Sequence, residues 1–90
     1  MSTVARRVRV HGRVQGVFFR DECNRKAREH AVTGWVRNDP GGTVTAHFEG
    51  AADHVEALVA WCREGPPRAE VSDVETQDVE VEGHDDFTVA

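Results

Sequence analysis

Val8-Arg9-Val10-His11-Gly12-Arg13-Val14-Gln15-Gly16-Val17-Phe18-Phe19-Arg20 contains a change of period that decides the fold. Val8, Val10 and Gly12 alternate with Arg9, His11 and Arg13, the two-residue period of a half-buried strand. From Phe19 the apolar residues fall four apart (Phe19, Cys23, Ala27) with charge on the other face, which predicts a helix to about Ala31. Between the two patterns lies a glycine-punctuated loop, Gly12 to Val17.

Reading on, Thr33 to Asn38 is a second strand, and Asp39-Pro40-Gly41-Gly42 is a strong turn signal. Val44, Ala46 and Phe48 alternate on a third strand, so residues 33–50 form a hairpin. Gly50 closes that strand and Asp53 is the expected N-cap of a second helix. Its apolar stripe is Val55, Leu58, Val59 and Cys62, and Gly65-Pro66-Pro67 ends it. Val71, Val74, Val79 and Val81 mark a long acidic strand, with a bulge implied by the odd spacing from Val71 to Val74. Phe87 and Val89 form a short last strand. The expected fold is α+β: a ferredoxin-like open α/β sandwich, with two helices on one face of an antiparallel sheet of four to five strands. That architecture hosts many functions and does not select one.

Ninety residues suit one domain, taken as residues 1–90. Hydrophobic residues at 39% and charged residues at 30% give a globular composition, which excludes a disordered tail or coiled coil. No apolar run approaches the ~20 residues of a membrane helix. The first residues, Met1 to Arg7, lack the ~7–15-residue apolar core of a secretion signal, so a cytoplasmic location is expected. Cys23 and Cys62, the only cysteines, both fall at apolar helical positions and are expected as buried free thiols.

The net charge, 11 − 16 = −5, conceals an asymmetry. Residues 1–28 carry +6 and residues 66–90 carry −7. Cross-strand pairing of Arg6, Arg7 and Arg9 with the acidic segment Glu70–Glu82 accounts for part of this. A local positive field for an anion is the sharper reading, and the two are compatible.

Glycines at 12 and 16 permit positive φ, so consecutive amides of the loop can turn inward as an anion nest. The following helix adds its unpaired N-terminal amides and the positive end of its dipole. Arg20, in the first helical turn, opposes that dipole, a conflict that a bound anion removes. Taken alone, such a loop is also a plain strand-to-helix turn, and Asn38 before Pro-Gly is also a plain turn-former.

Together, Gly12–Arg20 and Gly34-Trp35-Val36-Arg37-Asn38 resemble the two signatures of the acylphosphatase family, and the resemblance runs from about Val8 to Val89. It implies hydrolysis of an acyl phosphate to a carboxylate and inorganic phosphate by direct attack of a positioned water. Arg20 matches the family's phosphate-binding arginine and Asn38 its water-positioning asparagine. The backbone amides of Val14, Gln15, Gly16, Val17, Phe18 and Phe19 are the implied phosphate cradle, shaped by Gly12 and Gly16. Trp35 stands where the family often has tyrosine. The chain stops at Ala90, slightly short of the tail whose terminal carboxylate approaches the arginine in some members.

The expected partners are a small acyl phosphate and inorganic phosphate, the latter as product and competitive ligand. No nucleic acid or membrane partner is expected, and a monomer is the default. No cofactor or metal is expected, since His11, His30, His47, His54 and His84 show no paired ligand spacing. His11 reads as a strand-end residue, Trp61 as core edge, and Asp21 and Glu22 as dipole partners of the first helix. Arg13 and Gln15 lie close enough in sequence to the loop to touch an acyl group. Two other readings are weighed against this one. The first is a related module with a narrower substrate such as carbamoyl phosphate, as in the similar domain of a hydrogenase maturation factor. The end of the chain at Ala90, with no zinc-finger segment after it, is expected of the free-standing enzyme instead. The second is an RNA-binding module, which needs third-strand aromatics and a basic sheet face; strand Thr43–Gly50 offers only Phe48.

Overall fold

The computed structural model describes residues 2–90; Met1, the first residue of the expected domain, lies outside them. The element order is β1 (Thr3–Arg13), α1 (Phe19–Glu29), β2 (Thr33–Asn38), β3 (Val44–Ala51), α2 (Ala52–Glu64), β4 (Glu70–Val79) and β5 (Phe87–Val89). The five strands lie side by side as β4-β1-β3-β2-β5. Alternation buries Val8 and Val10 of β1, Val36 of β2, and Val44, Ala46 and Phe48 of β3 in one core. The helices complete it with Phe19, Cys23 and Ala27 from α1 and Val55, Leu58, Val59 and Cys62 from α2. Trp61 packs at the edge, its ring 5.0 Å from that of Phe19.

The expected element order is found, with five corrections. The sheet is mixed, because β5 pairs parallel to β2. β4 and β5 occupy opposite edges, so residues 80–86 must carry the chain across the sheet, and the chain re-enters alongside β2. Val81 therefore lies beyond β4, 48% exposed on the crossover rather than on the acidic strand. Helix α1 stops at Glu29, two residues short of Ala31. There Val32 N–H reaches Ala27 O at 2.8 Å and Ala31 N–H reaches Arg28 O at 3.3 Å, a Schellman closure with Ala31 at φ 53°. That turn drives Val32 back into the core. Asp53 is not the cap of α2: Ala51 holds that position, and Asp53 sits in the first turn, where it still favours the dipole.

The fifth correction concerns Arg9. Arg6 meets Asp78 and Glu56, and Arg7 meets Glu82, but Arg9 has no ion pair among the described residues. Its cross-strand neighbour Glu75 is bonded instead by His11 Nε2 at 2.6 Å. The bulge falls where the valine spacing puts it, since Gly12 faces Val71 and His11 faces Asp73, leaving Ser72 extra. A Cβ on Gly12 would stand 2.1 Å from Glu70 O, so only glycine allows β4 to approach. Gly12 thus lies inside β1 and serves the sheet, not the loop that follows.

Candidate functional site

The loop from Val14 to Phe18 leaves the end of β1 and enters α1 beside the end of β2. Gly16 (φ 74°) and Phe18 (φ 67°) are left-handed, whereas Gln15 and Val17 are not. Such alternation turns successive amides toward one side, the geometry of an anion nest. Phe18 is also the N-cap of α1 and supplies no side-chain hydrogen bond. The amides of the first helical turn therefore keep their donors for another partner.

Val14, Gly16, Phe18, Phe19, Arg20, Asp21 and Asn38 surround a cleft of about 210 Å³. Of the expected residues, Arg20 and Asn38 thus face one space, although 18 positions separate them in the chain. Val17 is buried in the core. The Gln15 side chain is turned away and spans the gap to the hairpin, donating to Asp39 O at 2.8 Å and Thr43 O at 2.9 Å. Arg13 pairs with Glu70 at 3.3 Å. Neither residue lines the cleft.

The turn after Asn38 is itself braced. Partial burial pushes the Asp39 carboxyl up, but the Thr45 and Thr43 hydroxyls and Arg37 outweigh that and hold it below the usual range. Arg20 Nη1 donates to the main-chain oxygen of Ala90 at 2.9 Å, so Ala90 does reach the arginine. Ala90 N–H is held by Val36 O at 2.9 Å.

The family resemblance is matched by independent comparisons. The sequence model of the Acylphosphatase family matches residues 6–89. The chain belongs to the acylphosphatase family. An acylphosphatase of Thermococcus kodakarensis is 49% identical to it, over 99% of this chain and 98% of the relative. The acylphosphatase structure from Coxiella burnetii superposes with a TM-score of 0.94 at 42% identity, over 98% of this chain and 93% of that one. Full-length HypF, in its phosphate- and nucleotide-bound form, contains a similar domain: TM-score 0.92, 29% identity, 99% of this chain against 12% of that protein.

A second group of polar residues escaped the sequence reading. His47 and Glu49 of β3 are fully and almost fully buried on the sheet face away from the helices. Glu49 accepts from the amides of Glu82, Gly83 and His84, the Gly83 and His84 bonds being 3.2 Å long. Burial raises the Glu49 carboxyl, while His47 and these amides bring it below its ordinary value. Bonds from His84 and Trp35 hold Glu82 down to about 2.

Ligand-type atoms of His47, Glu49, Glu82 and His84 lie within 4.8 Å of one another. However, Arg7 Nη2 donates to His47 Nδ1 at 3.1 Å, so Nε2 carries the proton and donates to Glu49 at 2.8 Å. A metal-bound imidazole needs the opposite tautomer, with an acceptor where Arg7 stands. The donor set is that of a clasp holding the crossover on the sheet. Histidines 47 and 84 are far apart in sequence, and only the β4–β5 crossover brings them together.

Proposed function

We propose that this chain cleaves acyl phosphates, R–CO–O–PO₃²⁻, by attack of water at phosphorus. The new P–O bond forms as the bond to the acyl oxygen breaks, giving R–COO⁻ and inorganic phosphate. A carboxylate is a weak base and leaves without a general acid, so positioning and charge stabilisation carry the catalysis. Arg20 offers a planar fork to two phosphoryl oxygens, and the amides of residues 14–19 take the others. The carboxamide of Asn38 orients the water in line with the scissile bond. The water's proton passes to a phosphoryl oxygen, so neither a protein base nor a metal is required.

The observation supporting this most strongly is the shared cleft: left-handed turns at 16 and 18, an uncapped helix start, one guanidinium and one carboxamide around 210 Å³. Family membership fits the same chemistry. Asp21, also on the cleft wall, lies in the first turn of α1, where it favours the helix dipole. We further propose that inorganic phosphate competes with substrate, and that the chain acts as a cytoplasmic monomer. Two free buried thiols suit a reducing compartment. Among the described residues, the large apolar side chains left exposed are the scattered Phe18, Val81 and Val89, too few for an obligate interface.

The test is phosphate release from benzoyl phosphate, with and without chelator. Chelator-insensitive turnover, inhibited competitively by phosphate, is the expected result. Inactivity toward benzoyl, acetyl and carbamoyl phosphates alike would refute the assignment. Activity confined to carbamoyl phosphate would favour the narrower reading.

A further inference from the structure

Arg9, Thr45 and Arg37 stand directly opposite one another across β1, β3 and β2, on the sheet face away from the helices. Adjacent strands lie about 4.8 Å apart, so the two arginines flank a small residue with roughly 10 Å between their backbones. Arg7, two residues along β1, closes a third side. With Glu75 and Gln77 of β4 these residues line a trough of about 420 Å³, twice the volume of the cleft at Arg20. Three positive charges thus face one negative charge, on a chain whose net charge is −5. That carboxylate, Glu75, is itself bonded by His11 Nε2 at 2.6 Å.

The guanidiniums keep donors to spare. Arg9 has no ion pair among the described residues, and Arg37 bonds Asp39 through Nε alone, at 3.1 Å. Arg7 is tied to His47 and Glu82 through Nη2. The guanidinium carbons of Arg7 and Arg37 lie 5.1 and 4.8 Å from the Trp35 ring centroid, so both are ordered before a ligand arrives. Thr45, 2% exposed, keeps its hydroxyl on Asp39 at 2.6 Å and supplies room rather than a donor. Gathering three cations around one small residue costs a repulsion that a multivalent anion relieves.

We infer that this trough is a second anion site that takes a polyphosphate, a linear chain of two or more phosphoryl groups, free or as the tail of a nucleotide. Phosphoryl oxygens match the planar fork of arginine. A single phosphoryl group meets one fork. A chain of them reaches from Arg9 past Thr45 to Arg37 and meets Arg7 on the way, which uses the length of the trough and all three charges. No residue of the trough lines the cleft at Arg20, so the inference stands apart from the hydrolase reading.

The experiment titrates tripolyphosphate into isotope-labelled protein and follows it by NMR, where the trough and the cleft report separately. The Trp35 indole N–H and the amides of Arg9, Arg37 and Thr45 should shift along one binding curve. Inorganic phosphate should bind the trough roughly tenfold more weakly. Arg9→Gln removes a charge at an exposed position outside the cleft. It should weaken tripolyphosphate at the trough by roughly tenfold, the scale of one charge-assisted contact, and leave any shifts of residues 14–19 in place. Arg9→Lys should restore part of the affinity, and thermal melts check that both variants fold. A nucleoside triphosphate is titrated alongside: tighter binding than tripolyphosphate identifies the nucleotide tail as the ligand, and equal or weaker binding the free chain. Shifts confined to residues 14–20, or trough shifts that Arg9→Gln leaves undiminished, overturn the inference. A short oligouridylate that displaces both phosphate chains from the trough overturns it too, in favour of nucleic acid. None of these outcomes bears on hydrolysis in the cleft.

Discussion

The Gln15 side-chain amide donates to the main-chain oxygen of Asp39 at 2.8 Å, tying the phosphate loop to the turn that follows Asn38. Its second bond, to Thr43 O at 2.9 Å, anchors the other end of the same turn. On top of the strand pairing, one side chain from the loop itself therefore braces cradle against carboxamide. Gln15→Ala should lower kcat roughly ten- to a hundredfold, because displacements near 1 Å cost about that much in an oriented site. Steady-state kinetics with a thermal melt check this, and an unaltered kcat in a folded variant would remove Gln15 from the positioning role.

The end of α1 is strained at a known place. Ala31 occupies the left-handed position of the Schellman closure, where glycine is preferred. Ala31→Gly should stabilise the fold by roughly 0.5–1 kcal/mol, the relief of strain exceeding the greater entropy of the unfolded chain. Urea denaturation measures it, and destabilisation would contradict the assignment.

The crossover clasp makes stability depend on acid. Glu82 titrates near 2 in the fold against an ordinary 4.5, and Glu49, Asp39 and Asp86 are shifted in the same direction. A depressed carboxyl pKa contributes stability that is present above the unfolded value and lost as pH falls through the folded one. Stability should therefore decline from about pH 4.5 toward pH 2, and Glu82→Gln should flatten that decline. Denaturation curves across this range decide it; identical slopes for wild type and variant would exclude the clasp as the source.

Cys23 and Cys62 are both buried, and burial together with the neighbouring Cys62 thiol pushes Cys23 well above its ordinary value. Neither thiol should react with Ellman's reagent in the native protein, and both should react in denaturant. Rapid labelling of the folded chain would show that the helix interface opens.

Much of this arrangement is legible in the sequence because it follows from local chemistry. The change of period at Phe19, the Pro-Gly turn after Asp39 and the valine spacing around Ser72 each reflect a constraint confined to neighbouring residues. The two motifs converge because β1 and β2 both pair with β3, which puts Asn38 beside the loop. What stays hidden is set by contacts distant in the chain. The parallel pairing of β5, the burial of His47 and Glu49, and the contact from Arg20 to Ala90 all depend on the path of residues 80–86. Gly12 illustrates the limit well: its positive φ is expected from its type, yet its purpose is the approach of Glu70.

The most direct test of the account separates holding the phosphoryl group from aiming the water. Calorimetric titration with inorganic phosphate and turnover of benzoyl phosphate are measured side by side on wild type, Arg20→Ala and Asn38→Ala. Arg20→Ala should lose phosphate affinity and turnover together. Asn38→Ala should bind phosphate within about twofold of wild type yet lose at least a hundredfold in kcat, as expected for an interaction made in the transition state. An Asn38→Ala protein that keeps most of its kcat would contradict the central claim.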